Sequence, residues 1–79
     1  MRLPESLTVA TDNAGLPLTI ARSRSRYRVL SIAEHWRITD EWWKDEVRRD
    51  YFRVETGTGP VLDIYHDTVA DKWYLAGVL

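Results

Sequence analysis

The chain has 79 residues, a net charge of −1 and no cysteine. These values exclude disulfide staples and thiolate zinc sites, give no global charge for nucleic acid, and leave one small domain spanning 1–79 with a modest core. Such a domain relies on large side chains, and the sequence supplies 4 Trp, 4 Tyr and 1 Phe.

Apolar alternation with period two recurs along the chain, and no window holds a 3.6-residue period for long. In "SLTVAT" (6–11), Leu7 and Val9 share one face, and "DNAG" (12–15) is turn chemistry. "PLTIA" (17–21) alternates Leu18 and Ile20, with Pro17 suited to a strand's first position. "RSRS" (22–25) reads as a hairpin loop. "YRVLSIAEHWRI" (27–38) sets Tyr27 and Val29 in one phase and Ile32, Trp36 and Ile38 in the other. That switch predicts a bulge or sharp bend between Leu30 and Ala33. In "TDEWWKDE" (39–46), an N-cap candidate (Thr39 or Asp40) precedes acids, the signal for one short helical turn. "DYFRVET" (50–56) turns Phe52 and Val54 inward. After the turn "GTGP" (57–60), "VLDIYHD" (61–67) brings in Leu62 and Ile64. After the turn "TVAD" (68–71), "KWYLAGVL" (72–79) adds Trp73 and Leu75.

The fold class expected is all-β. Five to six short strands form a strongly bent antiparallel meander that rolls into a small SH3-like or OB-like barrel, with the bulge as its corner. Its core is expected to hold Leu7, Val9, Leu18, Ile20, Tyr27, Val29, Ile32, Trp36, Ile38, Phe52, Val54, Leu62, Ile64, Trp73 and Leu75. No apolar run approaches the roughly 18 residues of a membrane span, and "MRLPESLTV" lacks a signal peptide's apolar core. A cytoplasmic setting without membrane contact is expected.

Three constellations carry chemistry. Trp42 and Trp43 are adjacent, so they diverge. Trp42 is expected to turn inward over a barrel end, and Trp43 to lie outside beside Arg48 or Tyr51. Between Arg22 and Arg37 stand five arginines against one acid, and Arg22, Arg24, Arg26 and Arg28 recur at every second position. On one continuous strand they would track phosphates, with Tyr27 beside them; a hairpin would scatter them. "DIYHD" brings Asp63, His66 and Asp67, which have metal-ligand and general-base chemistry. Asp63 and His66 fall on opposite strand faces, Asp67 begins a turn, and no nucleophile or phosphate loop accompanies them. The expectation is no enzyme, no metal and no cofactor.

The order "RYRV…W…EWW…VRRDYFRV…G…L.IYHD…KWYL.GV", over residues 25–78, resembles a small bacterial domain. That domain also forms the C-terminal segment of Y-family-like DNA polymerases of the ImuB type. The resemblance implies an accessory role in translesion synthesis or DNA repair, with no catalytic residue to carry over. The function expected is therefore a non-catalytic protein-interaction module, its partner drawn from a DNA-repair polymerase assembly. Contact would centre on Trp43, Arg48, Arg49 and Tyr51, since aromatic and Arg side chains anchor such interfaces. The alternative is a small nucleic-acid-binding barrel using Arg22, Arg24, Arg26, Arg28 and Tyr27. An exposed edge strand also admits a homodimer.

Overall fold

The computed structural model describes residues 4–42 and 45–79; the side chains of residues 41, 42 and 45 lie outside the description. Six strands follow in order: β1 (Glu5–Thr11), β2 (Pro17–Arg22), β3 (Ser25–Trp42), β4 (Asp45–Thr56), β5 (Val61–Asp67) and β6 (Lys72–Val78). Each pairs antiparallel with the next, and β1 pairs with β6, closing a barrel. The all-β expectation holds. The short helical turn does not form: residues 39–42 continue β3, which stays in register with β4 as far as Trp42↔Asp45. Pairing to β4 satisfies those backbone groups better than one isolated turn would, and an isolated turn is costly to nucleate.

Turn chemistry sets the hairpins. Asp12 Oδ1 accepts from Ala14 N at 2.8 Å and Leu16 N at 2.9 Å, and Gly15 takes φ +84°, which favours glycine. Between β2 and β3 the tip is narrower than expected, since Arg22 pairs with Ser25. Asp67 Oδ1 accepts from Val69 N at 3.0 Å and Ala70 N at 3.1 Å, shaping the turn into β6.

The predicted corner in β3 consists of two bulges. Opposite β4 the register slips between Val29 and Ser31 and again between Ile32 and Glu34, so Leu30 and Ala33 are extra residues. The first bulge carries the inward phase from Val29 to Ile32. The second turns His35 inward and sends Trp36 and Ile38 outward. Two core expectations fail for this reason: Trp36 stacks on the outer face, and Ile38 is 42% exposed. A third, Leu18, is 48% exposed, because a slip beside Thr11↔Pro17 turns Pro17 inward in its place.

The core itself is Leu7, Ile20, Phe52, Val54, Leu62 and Ile64, with Tyr27, Val29, Ile32, Trp73 and Leu75 among the side chains packed against it. Full burial of an aliphatic side chain such as Val54, Leu62 or Ile64 contributes roughly 1.5–3 kcal/mol. β5 pairs with β4 only from Arg49 to Glu55, so the β3–β4 pairs from Thr39↔Arg48 outward form a two-stranded arm beyond the barrel.

Candidate functional site

The outer face of β3–β6 carries a row of aromatic rings. The register places Trp36 opposite Tyr51, Tyr51 opposite Tyr65, and Tyr65 opposite Tyr74. The three tyrosines alternate with inward apolar neighbours: Tyr51 precedes Phe52, Tyr65 follows Ile64, and Tyr74 stands between Trp73 and Leu75. Neighbouring rings touch across every strand boundary. Trp36 and Tyr51 lie 5.3 Å apart with planes 10° from parallel, Tyr51 and Tyr65 5.0 Å apart, and Tyr65 and Tyr74 5.3 Å apart. Pairs at this separation contribute about 0.5–1.5 kcal/mol each beyond their buried area. Packing is close enough to bury Tyr65 to 6% exposure although it faces outward. Burial pushes the Tyr65 hydroxyl above its ordinary titration range, and the pull of Arg49 in the other direction is smaller.

Arg49 completes the row. Its guanidinium lies over the Tyr65 ring, 4.7 Å from the centroid, and its Nη1 donates to the Tyr51 hydroxyl at 3.4 Å. The neighbouring arginines sit within ion-pair distance of carboxylates: Arg53 with Asp63 at 2.9 Å, Arg37 with Asp50 at 2.7 Å, and Arg48 with Glu46 at 2.6 Å. Arg49 has none within that distance among the described residues. Asp67 stands opposite it in register, but the Oδ1 of Asp67 is committed to the β5–β6 turn. The Arg49 Nε is buried without a hydrogen-bond partner among the described residues.

The predicted contact residues divide. Arg49 and Tyr51 come together in the row. Arg48, one position along β4, points to the other face beside Arg37, Thr39 and Thr68. Trp43, and the expectation that Trp42 and Trp43 differ in burial, lie outside the described residues.

The arginines of the first hairpin are spread. Arg22 is turned to Glu5, with Nε donating to Oε2 at 2.7 Å. Arg24 is exposed in the turn, and Tyr27 packs against the core. Only Arg26 and Arg28 share a face, beside Thr19 and Ala21 of β2. No continuous cationic row results.

Sequence reasoning missed a cleft at the barrel mouth, about 600 Å³ in volume, between the β1–β2 turn and the β5–β6 turn. Along its wall His35 stacks on Phe52 at 4.3 Å, Phe52 meets Trp73 at 5.6 Å, and Trp73 stacks on His66 at 4.6 Å. His66 Nε2 lies 2.8 Å from Asp71 Oδ1. Two ion pairs thus lie in the cleft, His66 with Asp71 and Arg37 with Asp50. Asp63, bound to Arg53 on the outer face, is separated from His66, and no cluster of three metal-ligating side chains occurs among the described residues.

The model of a family described as a domain of unknown function, DUF6504, matches residues 4–79. The chain belongs to that family. Comparison with curated proteins and with solved structures gives no match. Nothing in these comparisons links the DUF6504 domain to polymerases of the ImuB type. Within the DUF6504 domain, then, the aromatic row with Arg49 is the site its own geometry defines. No helix of the described residues is long and apolar enough to cross a membrane.

Proposed function

We propose that the domain is a non-catalytic protein-interaction module that docks an acidic protein segment on the row of Trp36, Tyr51, Tyr65 and Tyr74 around Arg49. The observation that carries this reading is the state of Arg49. It is a guanidinium fixed by two tyrosines that, among the described residues, carries no ion pair and has a buried, unpartnered Nε. A carboxylate arriving from a partner would neutralise it inside an aromatic surround, where charge-assisted hydrogen bonds are strong. Tyr, Trp and Arg in one patch are also the residue types that dominate binding energy at protein interfaces.

The same geometry weighs against the nucleic-acid alternative. Base stacking needs open ring faces. Tyr51 and Tyr65 each have a ring on both sides, so solvent meets their edges and hydroxyls. Arg26 and Arg28 offer only two of the phosphate contacts that the hairpin was expected to supply. A partner from a DNA-repair polymerase assembly, in the cytoplasm, is the biological setting that the family resemblance adds to this reading, and the absence of cysteine fits a reducing compartment.

A random linear-peptide library displayed on phage provides the test. Selection on the wild type is expected to enrich acid-rich sequences, and Arg49→Glu, shown folded by circular dichroism, is expected to lose them. Enrichment that survives Arg49→Glu, or no enrichment, would overturn the reading. So would salt-sensitive binding of single- or double-stranded oligonucleotides that depends on Arg26 and Arg28.

A further inference from the structure

Strand β3 has a free edge. β2 covers it only from Ser25 to Arg28, and beyond that point β3 pairs with β4 alone among the described residues. From Glu34 to Trp42 the pairing to β4 runs without a slip, so the opposite edge is regular over that length. This exceeds the usual strand of about 5–6 residues. It carries no Pro and no Lys, two of the usual devices against edge pairing. The two bulges lie before it and leave it unprotected.

We infer that this edge pairs with the same edge of a second copy of the chain, antiparallel about a two-fold axis at Ile38. Only residues of equal parity face each other in such a pair, which restricts the registers. Centring on Arg37 sets two guanidinium groups against each other, and centring on Trp36 overlaps a shorter stretch. Centring on Ile38 overlaps the whole regular edge. It places Ile38 against Ile38 of the other copy, Arg37 against Thr39, and Trp36 against Asp40, with no like charges opposed. The exposed Ile38, unexplained by the barrel, becomes the centre of the contact, and the side of Trp36 away from Tyr51 is covered.

The consequence reaches past the docking site. A two-fold axis perpendicular to the sheet leaves both outer faces on one side, so two aromatic rows share one continuous surface. A partner with two acidic segments would then gain avidity. The dimer does not depend on that partner, and its readout is mass rather than peptide binding.

Sedimentation equilibrium of the full chain tests it. The wild type is expected to double from its monomer mass of 9.2 kDa as concentration rises, and Ile38→Glu to remain monomeric with unchanged circular dichroism. The cross-strand neighbour of residue 38 is Arg49, so a glutamate there is tolerated by the fold while two oppose each other at the axis. Arg37→Pro and Ile38→Pro form a second test. Successive N–H groups alternate between the two edges, so Ile38→Pro breaks a bond to β4 and lowers Tm strongly, whereas Arg37→Pro faces the free edge and abolishes the dimer, with a smaller loss of Tm from the exposed pair with Asp50. A wild type that stays at 9.2 kDa to millimolar concentration overturns the inference, as does a dimer that survives Ile38→Glu and both prolines.

Discussion

Tyr65 concentrates the physical tension of the outer face. It points away from the core and is nonetheless buried, because Tyr51, Tyr74 and the Arg49 guanidinium surround its ring. Its hydroxyl titrates above the ordinary value of about 10 because burial disfavours the phenolate. The unfolded chain ionises first, so the associated stabilisation is complete below that ordinary value. It is lost as pH rises through the raised folded value. Spectrophotometric titration of tyrosinate should therefore show one group lagging the others, with stability falling in alkali. Tyr65→Phe should remove both the lagging group and its share of the alkaline loss. A wild type whose tyrosines all titrate together would show that the ring is wetter than its packing implies.

At the scale of the element, β3 decides both the shape of the barrel and the composition of its outer face. The conflict of phase between Val29 and Ile32 made a bend near Leu30–Ala33 legible in the sequence, because an apolar set cannot change faces without an extra residue. The second bulge was not legible. Ala33 is small and compatible with either face, so nothing marked the slip that sends Trp36 and Ile38 outward. The row shows the same division. The dipeptides Tyr51-Phe52, Ile64-Tyr65 and Trp73-Tyr74 announce one ring out and one apolar side chain in. Their lateral alignment depends on the length of each turn, which alternation leaves open. Arg49 and Tyr51 were within reach of sequence reasoning because they share the strand face opposite Phe52, whereas the partnering of Asp67 with its own turn was not. Deleting Ala33 tests the role of the second bulge. The β3–β4 ladder can re-form around the deletion, but the corner straightens and closure of the barrel is strained. The expected loss is about 2–3 kcal/mol in urea unfolding, at the severe end for a single change. An unchanged midpoint would show that the first bulge alone turns the strand.

Taken as a whole, most of the aromatic rings among the described residues fall in two places. Phe52 and Trp73 line the inner wall and the cleft, where ring faces meet His35 and His66. Trp36, Tyr51, Tyr65 and Tyr74 form a second layer outside a core that Val54, Leu62 and Ile64 already fill. A barrel this small gains stability from such a layer, yet stability alone does not call for a half-buried guanidinium at its centre with no ion pair among the described residues. The cleft pairs its charged groups as Arg37–Asp50 and His66–Asp71, whereas Arg49 in the outer row has no ion pair among the described residues. The most direct measurement is an amide and side-chain NMR titration of the full chain with an acid-rich peptide from the display selection. The largest shifts are expected on Trp36, Arg49, Tyr51, Tyr65 and Tyr74, with His35, His66 and the Arg24–Arg28 segment nearly silent. Largest shifts in the cleft or along that arginine segment, with the row unmoved, would contradict docking at that site.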